Sequence, residues 1–136
     1  MKKFLIGITL ISMTLAGAAF FYISQHGLDI RVQNETNKEI AGLYVTYNHI
    51  KKDIKIPPVS AKSSYKFHVD PVKNSTADFN EGALNIQYKD SKGNVHSETV
   101  IGYFERSYSG DAVFKIKSVD KDGVLAVKTN ERVSLY

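Results

Sequence analysis

Four histidines, His26, His49, His68 and His96, are the side chains of this sequence best suited to hold a metal or move a proton near neutral pH. No two of them stand two or four residues apart, so no single strand or helix turns a pair to one face. A metal centre would need distant segments to converge, and solvated or partly buried surface histidines are the simpler expectation. The chain has no Cys. That excludes a thiolate nucleophile, a zinc finger, a cysteine-held iron–sulfur cluster, a disulfide framework and a lipid-modified cysteine anchor.

The remaining chemical signals are equally local. Asp120-Lys121-Asp122-Gly123 opens like a calcium loop, but the sixth position is Leu125 where a glycine belongs, and Val124 to Val127 continue as an apolar run. A hairpin turn accounts for those residues better. Glu98 and Glu105 are the carboxylates that a cross-strand glycoside hydrolase could use, although two acids seven apart arise by chance among 14. Ser60-Ala61-Lys62 has the wrong spacing for a Ser-x-x-Lys nucleophile, and Ser107 and Ser109 flank Tyr108 without a nucleophile elbow. There is no phosphate-binding loop and no dinucleotide fingerprint. No catalytic residue, metal ligand or cofactor is assigned.

Two segments are dense enough to bind something. In Ile101 to Gly110, the side chains of Tyr103, Arg106 and Tyr108 would form an aromatic and cationic tip. The competing reading is a structural corner, in which a Tyr pins the loop and Glu105 satisfies turn amides. Lys51, Lys52 and Lys55 form a basic run, suited either to an anionic lipid or envelope polymer or to guarding an edge strand against aggregation.

The elements that must carry these residues read as strands. Leu28, Ile30 and Val32 alternate with Asp29, Arg31 and Gln33, which is the period of a half-buried strand. The same period recurs over Ile40 to Ile50, Ile54 to Ile56, Tyr65 to Val69, Leu84 to Tyr88, Val95 to Phe104, Ala112 to Ile116 and Val124 to Thr129, with Val133 to Tyr136 as a short edge strand. The alternation breaks near Gly102, as a β-bulge would make it. Asp70 to Gly82 is the longest loop, Asp90 to Asn94 and Asp120 to Gly123 are hairpin turns, and no segment after Ile23 has a helical stripe. About eight strands at such spacing predict an all-β antiparallel sandwich, immunoglobulin-like or related, with a small β-barrel as the alternative.

Ahead of the strands stands an apolar leader. Lys2 and Lys3 precede Phe4 to Ile23, an uncharged run that as a helix would span about 30 Å, the thickness of a bilayer core. The sequence allows a cleaved signal peptide, with Ala16-Gly17-Ala18 as the cleavage site, or an uncleaved anchor. Cleavage after Ala18 would leave Ala19 to Ile23 as an apolar remnant, so the anchor is favoured. Positive-inside orientation keeps Lys2 and Lys3 in the cytoplasm, residues 24–27 as a link, and residues 28–136 outside.

The formal charge of +4 shrinks on that reading. Two of the 18 basic residues are the cytoplasmic lysines, and the other 16 stand against 14 acidic ones. A nucleic-acid partner is therefore not expected. The expected function is that of a non-enzymatic binding or accessory protein of the cell envelope, held to the membrane by residues 4–23 and contacting a protein, peptide or envelope polymer, immunity or stress protection being versions of that role. An envelope hydrolase using cross-strand carboxylates and a structural subunit of a membrane complex are the alternatives.

Overall fold

The computed structural model describes residues 27–134, so the apolar leader, its cleavage site, His26 and the final two residues lie outside the described residues. The described residues form eight strands and one turn of helix: β1 (Gly27–Asn34), β2 (Tyr44–Thr46), β3 (Ile54–Lys55), β4 (Ser64–Val69), α1 (Pro71–Asn74), β5 (Glu81–Lys89), β6 (Val95–Glu105), β7 (Ser109–Val119) and β8 (Leu125–Ser134). They assemble into two four-stranded sheets, in the orders β4-β1-β7-β8 and β3-β2-β5-β6. This is an all-β architecture consistent with a sandwich. Among the described residues, no helix is long and apolar enough to cross a membrane.

The alternation in β1 sends Leu28, Ile30 and Val32 into the core and leaves Asp29 and Arg31 exposed. The inner faces of both sheets merge in one apolar cluster, with Phe104, Phe114, Leu84, Ile86 and Val45 fully buried. Each such side chain contributes about 1.5–3 kcal/mol by leaving water. At one end Tyr47, Phe79 and Phe104 close an aromatic triangle, with ring centroids 5.2–5.4 Å apart.

The structure corrects the expected pairing in one respect. β1 pairs antiparallel with β4 but parallel with β7, Ile30 facing Ala112 and Val32 facing Phe114. The first sheet is therefore mixed. Period-two alternation reports which face of a strand is buried, and it carries nothing about the direction of the neighbour.

Local departures have local causes. Ile40 to Ile50 is not one strand. Gly42 takes φ 78° and His49 takes φ 63°, and these left-handed residues bracket the short β2, with Ile40 and Ile50 making isolated bridges to Val59 and Ser75. The long loop contains α1, where Pro71 opens the turn and Asp70 caps it by accepting from the Val72 and Lys73 amides. β8 runs unbroken to Ser134, so Val133 and Ser134, the described part of the expected extra edge strand, continue it. The expected bulge is present: Leu84 faces Ile101 while Gly82 faces Phe104, and Asn85 faces Thr99. This slip lets the successive residues Val100 and Ile101 both be buried, and it leaves the Gly102 N–H to donate to the Glu131 carboxylate of β8 at 2.9 Å.

Two hairpin turns of one design, one from each sheet, meet at the same end of the domain. In each, a Gly with positive φ donates its N–H to the Asp carbonyl three residues back (Gly93 to Asp90, Gly123 to Asp120, both 3.1 Å). Asp120 accepts from the Asp122 and Val124 amides, so its carboxylate serves the turn. The Ser91 amide and hydroxyl then donate to the Asp122 carbonyl at 2.9 and 2.8 Å, tying one hairpin to the other.

Candidate functional site

Each described histidine meets one aspartate. His49 Nδ1 lies 3.1 Å from Asp78, His68 Nδ1 lies 2.8 Å from Asp29 across β4 and β1, and His96 Nε2 lies 2.9 Å from Asp90 across a hairpin turn. The pairs stand on different elements, and among the described residues no three His, Asp or Glu side chains converge. Of these pairings only His96 with Asp90 had a signal in the sequence, since both flank one turn.

The Asp90 carboxylate is the most constrained of these groups. His96 is its first partner, the Asn94 side-chain amide follows, and the backbone amides of Asn94 and Lys92 complete the set. These donors hold its carboxyl well below the usual range. A depressed carboxyl adds stability above its ordinary titration near pH 4, and that stability is lost as the pH falls through the lower folded value. Asp90→Asn is therefore expected to lower stability at neutral pH and to flatten its fall below pH 4. Urea unfolding of both proteins across pH 2–7 checks this, and parallel acid limbs would refute it.

The residues proposed as a binding tip are occupied with one another and with the chain. Tyr103, 45% exposed, donates its hydroxyl between Glu105 and Glu81 at 2.6 and 2.9 Å. Those two carboxylates face each other across β5 and β6. The hydrogen bonds to Glu105 and Glu81, aided by their charge, raise the Tyr103 hydroxyl pKa strongly. Arg106 spends its guanidinium on the carbonyls of Thr76, Ala77 and Phe79. Tyr108 is partly buried against the core, its ring edge-on to that of Tyr103 at 5.9 Å. The geometry is that of a corner pinned by Arg106, with Tyr103 its exposed member. Glu98 lies opposite Ile86, so the carboxylates that the strands bring together are Glu105 and Glu81 rather than Glu105 and Glu98.

The basic run sits at the edge of the second sheet. Lys52 and Lys55 flank an open cleft of about 590 Å³ that also holds Asp53, Tyr44 and Ile56, and the Lys51 amide donates to the Asn74 carbonyl. β3 has only two residues and carries Lys55 on an outer edge, as expected of a guarded edge strand.

A larger basic surface lies elsewhere. On the outer face of the first sheet, the register places Ser64, Gln33, Lys115 and Lys128 in one row and Lys66, Arg31, Val113 and Asn130 in the next. The third row is His68, Asp29, Asp111 and Arg132, where His68 pairs with Asp29 and Arg132 with Asp111 at 3.3 Å. Beyond the first row an open cleft of about 510 Å³ is lined by Arg31, Gln33, Glu35, Lys62, Ser64 and Lys117 among others. Glu35 organises this cleft. Its carboxylate takes Lys117 at 2.7 Å and its carbonyl takes the Lys62 ammonium at 2.6 Å. The hydrogen bond from Lys117, aided by the charges of Lys115 and Lys62, holds its carboxyl below the usual range. Asn34, buried behind the cleft, ties down both flanking loops, donating to the Lys38, Val59 and Ser60 carbonyls and accepting from Thr36. The outer face of the second sheet is different: Tyr44, Gln87 and Ser97, with Asn85 and Thr99, form a hydrogen-bonded ladder of uncharged side chains, whose Tyr44 row reaches Lys55 at the edge.

No protein-family model and no curated protein matches this chain. A solved NMR structure of a protein from Eubacterium rectale is similar over 76% of this chain and 87% of its own, at 15% identity and a TM-score of 0.42.

Proposed function

We propose that this chain is a membrane-anchored, extracytoplasmic binding module of the cell envelope that works without catalysis, its domain an immunoglobulin-like sandwich held out by the apolar run of residues 4–23. The observation that carries this reading is the sorting of the domain's surface. One sheet presents a face crossed by Arg31, Lys66, Lys115 and Lys128, and the other presents a ladder of amides and hydroxyls with Lys55 at one edge and the Glu81 and Glu105 carboxylates at one end. Flat, chemically distinct faces suit contact with partners better than turnover of a small substrate. Each of the two open clefts holds a single carboxylate, Glu35 in one and Asp53 in the other, which gives a hydrolase no acid–base pair there. Among the described residues the large apolar side chains left exposed, Tyr65, Val72, Val95 and Tyr103, are spread over β4, α1 and β6, so they supply little of the continuous patch that a permanent complex subunit needs.

Membrane fractionation with in-cell crosslinking tests the reading. The intact chain is expected in the membrane fraction, crosslinked to an outer partner. A soluble form beginning at Ala19 would overturn the anchor, and turnover of a substrate by the purified chain without a crosslinked partner would overturn the binding role.

A further inference from the structure

We infer that the basic cleft and the lysine rows beside it form a docking site for a linear phosphodiester-bearing polyanion of the envelope. The inference deepens the proposed binding role and rests on its anchored topology for the choice of polymer over bilayer. Six cations share this surface: Arg31 and Lys66 in one row, Lys115 and Lys128 in the next, Lys62 and Lys117 at the cleft. Glu35 is the carboxylate among them, and it is engaged by Lys117. The acids of the nearby hairpins are also engaged, Asp120 by its own turn amides and Asp122 by Lys92 at 3.9 Å. Arg31 makes no ion pair among the described residues.

The cleft is built before any ligand arrives. Glu35 holds both lysine ammoniums at its mouth, and the Asn34 hydrogen bonds fix the loops that carry Glu35 and Lys62. Ser64 and Gln33 add neutral donors. Ammonium, guanidinium and hydroxyl donors approaching from several sides suit the non-bridging oxygens of a phosphate. The rows continue the positive surface across four strands spaced about 4.8 Å apart, so a chain with one charge per repeat meets several cations in succession. A single small anion would use the cleft alone.

The direction of β1 argues against a bilayer as the polyanion. Its first residues, nearest the apolar leader in sequence, lie in the row holding Asp29 and Asp111. Apart from Arg132, which is paired with Asp111, the cations begin at Arg31 and continue past Asn34, about 13–25 Å from Gly27 along the strand. A domain anchored ahead of Gly27 thus turns its carboxylates toward the membrane end and its lysines outward.

Titration of poly(glycerol phosphate) into the full chain, held in phosphatidylcholine nanodiscs, tests the site. Saturable binding that weakens steeply with salt is expected. Arg31→Glu with Lys115→Glu should weaken it about tenfold or more. Lys51→Glu with Lys52→Glu, at the other sheet's edge, should leave it within about twofold. The neutral pair Arg31→Gln and Lys66→Gln gives a second, gentler loss should the charge reversals misfold. Absence of saturable binding at low salt would overturn the inference. Equal loss in the Lys51 and Lys52 variant, equally tight binding of polygalacturonate, or equally tight binding of phosphatidylglycerol vesicles added to the nanodiscs would each do the same. Recovery of a soluble form beginning at Ala19 would remove the anchoring argument while leaving polymer binding measurable.

Discussion

Phe104→Ala is expected to destabilise the domain by about 3–5 kcal/mol, enough to lower its thermal midpoint by roughly 15 °C or more. Phe104 is completely buried, and its ring meets Tyr47 edge-on at 5.2 Å and Phe79 at 5.4 Å. Removing it opens a cavity between strands that cannot collapse readily. β6 is fixed there by pairing Phe104 with Gly82, and a Cβ at Gly82 would already stand 3.3 Å from the Phe79 ring. The Tyr47 hydroxyl shares a buried 2.7 Å hydrogen bond with Ser75, so a shifted Tyr47 would strand a polar group as well. Phe104→Leu, which keeps most of the volume, should cost about 1–2 kcal/mol. Urea titration followed by tyrosine fluorescence measures both, and a loss below about 1 kcal/mol for the alanine variant would refute this account of the core.

Arg106→Ala should cost about 2 kcal/mol although the residue looks, in sequence, like part of an exposed tip. Its Nη2 donates to the Thr76 carbonyl at 2.7 Å, and the same group reaches Ala77 and Phe79. Three carbonyls that bend around one guanidinium lose their donor together. Arg106→Lys should recover less than half, because one ammonium cannot reproduce a planar fork. A side chain reserved for a ligand would behave in the opposite way. Its truncation would spare stability and alter only binding, so thermal unfolding of the two variants decides between a pin and a recognition residue.

The strands were legible because each carries its own period. Leu28-Ile30-Val32 and Ala112-Phe114-Ile116 announce their buried faces without help from the rest of the chain. The slip at Gly102 was legible for the same reason, as was the Gly123 turn. What could not be read was adjacency. Arg31, Lys66, Lys115 and Lys128 each occupy the polar side of a separate alternation, and only the order β4-β1-β7-β8 gathers them. Counted over the residues after Lys3, 14 acids nearly balance 16 basic residues, which hid the concentration of charge on one face. At Ile101 to Gly110 aromatic and cationic residues crowd together around a corner, one of the two readings that the sequence offered for them. Lys51, Lys52 and Lys55 stood out as a run, whereas the larger basic surface is made of residues that never adjoin in sequence.

The parallel seam between β1 and β7 has a consequence for how the protein comes into being. β1 leads the described chain, yet Gly27 finds Ser109 opposite it, and nearly the whole domain must be made before that seam can close. Contacts of such separation place folding on the scale of milliseconds to seconds. Until β7 arrives, one side of β1 is an open edge with an apolar face, free to pair with the wrong strand. A chain interrupted before Ser109 would have no partner for that edge. The late strands are thus what turn an aggregation-prone intermediate into a closed domain.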